Sequence, residues 1–540
     1  MEPQAGNTLL FNWTDVSPSF GLQYHPCYDG LECARLLLPM NWHNTSDSRN
    51  VAIAIIKLPA TVSSADPRFS GTLITNPGGP GQSGVQMVLG AGRFIQQLVD
   101  DADHKYEIVS FDPRGVWQST PRLDCFEGDD YARGLWEWEK RIRGNMDGSN
   151  QAAIQAHIAA AKAFGGFCEN SKHDFAVHVS TAAVARDMLE MVEKIESERK
   201  EKSFHGDQEV LSADSVTKLQ YLGFSYGTHL GNTFASLFPD RVKRMVLDGV
   251  VDSYAFTGTR WPLGSTQDAE KVMDHFFDTC FAAKESCALY KPGYTSSGEI
   301  RDAIQTVFKI IKQSPVPVVQ DKNFTLFTLT DLQQLILTPC YSPIAFFPQV
   351  AEDLDLLLQG QYADVVNDNP ELLGPAAPQH ASCDDAIGSP NPDTYSVYAA
   401  SDAAFSVVCG DRVDVRNTTA KELADYIQHM LDESPSIGST WATFYTQCAG
   451  WPYRAKWAFH GPFKTPPPET KTGPDAPLLF LSSEFDPVTP VSAAIAMAER
   501  HPHSLVVKQR SYGHTALFAA PSNATRRILR EYMHHGILPQ

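Results

Sequence analysis

The 540-residue chain has no stretch approaching the roughly 20 consecutive apolar residues that cross a bilayer, so no membrane span is expected. It also lacks an excess of basic residues. With 44 Lys and Arg against 63 Asp and Glu the net charge is −19, and that field repels phosphate backbones and anionic lipid surfaces, which excludes nucleic acid as a partner. No CxxC pair and no Cys/His cluster at zinc-finger spacing occurs; neither a metal nor a cofactor is expected. Met1 to Asn12 carries Glu2 and no basic run, so it lacks a signal-peptide pattern. Internal repeats and low-complexity tracts are missing too, which argues against a solenoid or a disordered tail. The expectation from these absences is a soluble chain with no visible address.

What is present is enough apolar material for a large core: 43% hydrophobic and 20% charged residues, arranged as one large domain with a substantial insertion, or as two domains. The ten cysteines are Cys27, Cys33, Cys125, Cys168, Cys280, Cys287, Cys340, Cys383, Cys409 and Cys448. The short loops Cys27 to Cys33 and Cys280 to Cys287 are spaced as local disulfides often are, and N-x-S/T sequons stand at Asn12, Asn44, Asn323, Asn417 and Asn523. The reading leans toward an oxidising, secretory compartment, with the cytoplasm as the alternative.

Apolar, β-branched runs ending in turn residues lie at Val51 to Leu58, Thr72 to Thr75, Tyr106 to Phe111, Leu219 to Gly223, Met245 to Leu247, Leu478 to Ser482 and Leu505 to Lys508. They predict buried strands of a mostly parallel sheet. Helical patterns alternate with them, as in Thr181 to Ile195, Pro490 to Arg500 and the stretch from Ser522 to about Met533. This predicts a doubly wound α/β sheet. Two segments break the alternation. Glu196 to Thr217 is polar and predicts a solvated surface loop, whereas Ser253 to Pro474 is mostly helical in pattern, with a Pro/Gly/Asn-rich loop at Asn367 to Pro392. The predicted organisation is a core domain of residues 1–252 and 475–540 with a mainly helical lid, 253–474, inserted into it.

The sharpest chemical signal is Gly223-Phe224-Ser225-Tyr226-Gly227, between a strand-like Leu219-Gln220-Tyr221-Leu222 and a helix-like run through Phe234, Leu237 and Phe238. Strand, tight turn and helix are what lift a serine hydroxyl above a sheet edge, so Ser225 is the candidate nucleophile. A serine hydroxyl needs a base and an orienting carboxylate, which in this arrangement follow in the order Ser, acid, His. Asp486 and His514 stand just past the two last strands, where open α/β sheets place their sites. Glu484 is the rival acid; His501, His503, His534 and His535 are rival bases on helix ends or the tail. A developing oxyanion needs two backbone N–H donors, assigned here to Tyr226 and to Gly79 of the loop Asn76-Pro77-Gly78-Gly79-Pro80-Gly81.

Taken together, Asn76-Pro77-Gly78-Gly79-Pro80-Gly81, Asp112-Pro113-Arg114-Gly115, Gly223-Phe224-Ser225-Tyr226-Gly227-Thr228 and Leu247-Asp248-Gly249-Val250 resemble the prolyl and tripeptidyl aminopeptidase family of serine hydrolases. Cys409-Gly410-Asp411, Cys448-Ala449-Gly450-Trp451 and the Asp486 and His514 segments resemble the TAP-like C-terminal region of its larger members, and Tyr24-His25-Pro26-Cys27 through Cys33-Ala34-Arg35-Leu36 is also similar. The resemblance covers roughly the first 250 and the last 140 residues. It implies the α/β-hydrolase fold and an exopeptidase acting through an acyl-enzyme near a free amino terminus, with lid carboxylates for the amine. Glu270, Glu352, Asp353, Asp355, Asp384, Asp385 and Asp411 are the candidates for that role. Where the family commonly has a small residue after Asp-x-Arg-Gly, this chain has Val116-Trp117-Gln118, so Trp117 is a candidate substrate contact. The expected substrate is a small peptide or a small-molecule acyl compound. An esterase, lactonase or natural-product tailoring hydrolase, or an inactive binding protein on the same fold, are the alternatives, and oligomeric state is not readable.

Overall fold

A computed structural model describes residues 11–144, 148–171, 174–204, 216–259, 262–320, 323–369 and 400–539. Its strands are β1 (His25–Cys27), β2 (Leu31–Pro39), β3 (Asn50–Leu58), β4 (Phe69–Asn76), β5 (Lys105–Phe111), β6 (Leu219–Phe224), β7 (Val242–Asp248), β8 (Val316–Gln320), β9 (Asn323–Phe327), β10 (Leu479–Phe485) and β11 (Leu505–Tyr512). Nine of them form one sheet in the order β1-β2-β3-β5-β4-β6-β7-β10-β11. From β5 to β11 every neighbouring pair is parallel, while β1, β2 and β3 join antiparallel at one edge. The predicted strands are all present; β1 and β2 in this sheet and the separate β8–β9 pair are additional.

The continuous apolar runs exist because helices cover both faces of the sheet. Along β3, Ile53 and Ile55 pack into one buried layer and Ala54, Ile56 and Leu58 into the other. β6 divides likewise, with Leu219 and Tyr221 on one face and Leu222 and Phe224 on the opposite one, the period of two that a pleated strand imposes. Helix Thr181–Phe204 lies on the first face and helix Asn523–His535 on the second.

The predicted loop at Glu196 to Thr217 is in part helix, since Thr181–Phe204 continues through its first nine residues. The charged run is held rather than solvated: Arg199 pairs with Glu196 one turn earlier at 2.6 Å and with Glu107 on β5 at 2.8 Å. Residues 205–215 lie outside the described residues.

Between β7 and β10 the chain divides by its packing. Helices Ala269–Ala283, Ser297–Gln313, Leu329–Tyr341 and Pro343–Leu358 enclose a hydrophobic cluster of their own, and the β8–β9 hairpin adds Val318 and Phe327 to it. Phe405, Val408, Cys409, Cys448, Trp451 and Phe463 instead join the cluster on the sheet's first face. Most of the predicted loop Asn367 to Pro392 lies outside the described residues. Disulfides close both short loops, Cys27–Cys33 and Cys280–Cys287, and two longer ones, Cys125–Cys168 and Cys409–Cys448. Cys340 is buried and has no disulfide partner among the described residues. No described helix is long and apolar enough to cross a membrane.

Candidate active site

The C-terminal ends of β4, β6, β7, β10 and β11 converge on Ser225. Its backbone, at φ 54° and ψ −127°, joins β6 directly to helix Tyr226–Leu237, a left-handed turn that costs a non-glycine residue of order 1–3 kcal/mol and persists only where the surroundings over-determine it. They do so here. A Cβ on Gly223 would lie 2.5 Å from Gly227 O, and one on Gly227 would lie 2.7 Å from Asn76 O. The glycine loop after β4 closes over the same turn: a Cβ on Gly78, whose φ is +98°, would lie 2.9 Å from both Ser225 Cβ and Tyr226 N. Gly78 N–H donates to Asn76 Oδ1 at 3.0 Å.

His514 and Asp486 come together at the ends of β11 and β10. His514 Nδ1 lies 3.0 Å from each Asp486 oxygen, and the carboxylate also accepts the backbone N–H groups of Val488 (3.0 Å), Thr489 (2.8 Å) and Thr515 (2.9 Å). Burial pushes the Asp486 carboxyl up, yet the His514 charge and hydrogen bond, with the Thr515 and Val488 amides, outweigh it and leave the group below its ordinary value. His514 Nε2 is buried with no hydrogen-bond partner among the described residues. The ring and Ser225 flank the same short segment. Ser225 N–H donates to Asp248 O at 3.0 Å, and a Cβ on the adjacent Gly249 would lie 3.3 Å from His514 Cε1. Chemically this is a hydroxyl on a strained turn beside an imidazole with one nitrogen tied to a carboxylate and the other unengaged.

Sequence reasoning missed three supports. Asp248 at the end of β7 is fully buried, and its carboxylate accepts Ala516 N–H at 2.6 Å and Leu517 N–H at 2.9 Å, which pins the turn after His514. Burial raises this carboxyl to about 6 against those two hydrogen bonds. Tyr341 O accepts His514 N–H at 2.8 Å, and its ring stands edge-on to the imidazole at 4.7 Å. Thr181 Oγ1 lies 2.5 Å from Tyr226 Oη and donates to Asp411 Oδ2 at 2.5 Å, while Thr181 N–H donates to the same oxygen at 2.8 Å. Burial lifts the Asp411 carboxyl to about 7. Asp248 and Asp411 stand in the motifs quoted above, Leu-Asp-Gly and Cys-Gly-Asp, but nothing in their spacing says which backbone amides they hold.

The rivals are engaged elsewhere. Glu484 pairs with Lys508 at 2.8 Å. His501 is buried with Nε2 on Asn232 Oδ1 at 2.7 Å and Nδ1 near Thr465, and His503 is exposed beside Glu469. His534 and His535 end the last helix, away from these strand ends. Glu270 accepts hydrogen bonds from Ser434 and Ser436, Asp353 from Gln349 and Asp355 from Gln359, whereas Glu352 is exposed. Asp384 and Asp385 lie outside the described residues. Trp117, at φ 42°, is half-buried on the turn after β5.

Comparison with known proteins agrees with this fold. A family model described as the alpha/beta hydrolase fold matches residues 71–286, and one described as TAP-like protein matches 434–540. Serine protease Hip1 of Mycobacterium tuberculosis (strain ATCC 25618 / H37Rv) is 34% identical over 256 residues, 47% of this chain and 42% of that protein. Tripeptidyl aminopeptidase of Streptomyces lividans is 27% identical over 241 residues, 45% of this chain and 38% of that one. Carboxylesterase B of Mycobacterium tuberculosis (strain CDC 1551 / Oshkosh) is 32% identical over 157 residues, 29% and 27% respectively. The match spans less than half the length of these curated relatives.

Proposed function

We propose that this chain, which matches family models described as the alpha/beta hydrolase fold and TAP-like protein, is a serine hydrolase using Ser225 as nucleophile, His514 as general base and Asp486 as orienting acid, and that its substrates are short peptides with a free amino terminus. The observation that carries the reading is the state of His514: Nδ1 fixed on a buried carboxylate, Nε2 buried and unengaged beside the Ser225 turn.

In this reading Asp486 holds the proton on Nδ1, so Nε2 presents its lone pair and takes the Ser225 proton as Oγ attacks the acyl carbon. The imidazolium then protonates the leaving amine, and a water activated by the same nitrogen hydrolyses the acyl-enzyme. Tyr226 N–H and Gly79 N–H stabilise the oxyanion. Gly79 rather than Gly78 fits, because the Gly78 N–H is already taken by Asn76. Asp248, Tyr341 and the Thr181–Asp411 pair are positioning residues that fix the histidine turn and the Tyr226 side chain.

Within the helical block 253–474, the four helices that enclose their own cluster act as the lid. Support comes from Tyr341 O on His514 N–H and from Pro343, whose Cδ would lie 2.6 Å from a Cβ on Gly513, so helices Leu329–Tyr341 and Pro343–Leu358 stand at the mouth of the site. The peptidase reading is favoured by the names of two relatives, serine protease and tripeptidyl aminopeptidase; the similarity to carboxylesterase B keeps the esterase as second reading. Ala-, Pro- and Ala-Ala-Pro-type amides, each with a free and an acetylated amine, separate the two when compared with simple esters. A peptidase that recognises the ammonium group prefers free amines by about a hundredfold, equivalent to about 2.7 kcal/mol of transition-state binding. Indifference to acetylation, or ester turnover without amide turnover, supports the esterase.

A further inference from the structure

Two of the histidines set aside as bases take part in a second cluster. The last helix, Asn523–His535, ends in His534 and His535, and the turn before β5 contributes His104 and Asp101. One ring nitrogen from each of His104, His534 and His535 lies within 4.8 Å of the other two. His104 stacks on His534 at 3.8 Å, so the partly exposed His104 ring must turn before both reach a single ion, and His535 stands at 86° to the first and 89° to the second.

The hydrogen bonding of His534 leaves a polar mismatch. Its Nε2 lies 2.7 Å from the Val99 carbonyl, which can only accept, so Nε2 carries the proton. A neutral imidazole has no second N–H, yet Nδ1 faces Asp101 Oδ2 at 3.3 Å. Lone pair meets lone pair unless a second proton or a metal ion stands at that nitrogen. The other Asp101 oxygen lies 3.1 Å from His104 Nδ1 and accepts the backbone N–H groups of Asp103 and His104 at 2.8 Å each, so the carboxylate is fixed in place.

We propose that His104, His534 and His535 bind a divalent transition-metal ion, with Asp101 as its carboxylate partner. Three imidazoles and one carboxylate suit zinc or a metal of similar softness, whereas calcium and magnesium want oxygen cages. The site sits at the N-terminal end of β5, the edge opposite Ser225, and joins chain segments about 430 residues apart. Its role is to staple the last helix to the body of the protein: metal binding to the folded chain stabilises it by mass action. The negative net charge favours cation approach from solution.

The test uses the full chain, stripped with EDTA and titrated with Zn²⁺ by calorimetry and Co²⁺ by visible absorption, alongside His104→Gln and His535→Gln, which keep a polar side chain at positions that are partly or fully exposed. One Zn²⁺ per chain, tetrahedral Co²⁺ bands and an EDTA-reversible rise in Tm of about a few degrees, all lost in both variants, are expected. Asp101→Asn weakens binding by roughly 10- to 100-fold, as loss of a carboxylate partner does. Zinc uptake and Tm unchanged in His104→Gln and His535→Gln, or no binding in the parent chain at 100-fold excess, overturn the proposal, and a second proton on His534 is then what relieves the mismatch.

Discussion

Asp411→Asn is the substitution whose effect the structure specifies most fully. The carboxyl is 1% exposed and lies behind Tyr226, with Thr181 donating twice to Oδ2 and Oδ1 buried without a partner among the described residues. Burial pushes it from the ordinary 3.8 to about 7, and neither the Thr181 hydrogen bonds nor the Arg454 charge restores it. Between those two values the folded state keeps a proton that the unfolded chain has released. Stability therefore falls as pH rises through that window, by about 1.36 kcal/mol per pH unit and about 4 kcal/mol by pH 7, and stays at that level above it. Asparagine is neutral throughout, its oxygen accepts both Thr181 hydrogen bonds, and its NH₂ takes the place of the unpartnered Oδ1. Urea unfolding followed by tryptophan fluorescence at pH 4.5, 5.5, 6.5 and 7.5 reads the difference. The variant gains on the parent steadily, from about 1 kcal/mol at pH 4.5 to about 4 kcal/mol at pH 7.5. A difference that does not change with pH, or a variant less stable at the alkaline end, refutes the reasoning.

Four further substitutions probe the site itself. Asp486→Asn leaves geometry but forces an amide NH₂ against either a backbone N–H or His514 Nδ1; kcat falls by roughly 10⁴, while Glu484→Gln, altering a group paired with Lys508, leaves kcat within about twofold. Asp248→Asn retains one acceptor for the two amides of Ala516 and Leu517, so denaturant titration should show a loss of about 1–3 kcal/mol for the buried group left unpaired. Gly78→Ala places a Cβ 2.5 Å from Phe224 O in a backbone at φ +98°; the glycine loop must move, and kcat/KM for a peptide amide should drop by about 10²- to 10³-fold, as for loss of an oxyanion donor.

The central parallel strands were legible because burial on both faces demands unbroken runs such as Leu-Leu-Phe-Leu entering β10, and the candidate triad Ser225, Asp486 and His514 because each stands just past an apolar run. β2 was missed: Leu-Glu-Cys-Ala-Arg-Leu-Leu-Leu-Pro carries charges on a strand whose partners are antiparallel, and its Glu32 is neutralised by Lys57 across the pair at 2.6 Å. The helix beyond Glu196 was missed for a similar reason, its charged surface being paired through Arg199 to a strand 92 residues earlier. Asp248, Asp411 and the His104 cluster depend on partners hundreds of residues away, and local periodicity carries no information about those.

Covalent labelling of the folded chain with a fluorophosphonate, followed by peptide mass spectrometry, decides whether Ser225 is the nucleophile. One phosphonyl group per chain is expected on the peptide containing Ser225, with labelling lost in Ser225→Ala and reduced at least about a thousandfold in rate in His514→Ala, since nucleophile and base act as a unit. A label on another serine, or amide and ester hydrolysis undiminished in Ser225→Ala, would contradict that assignment.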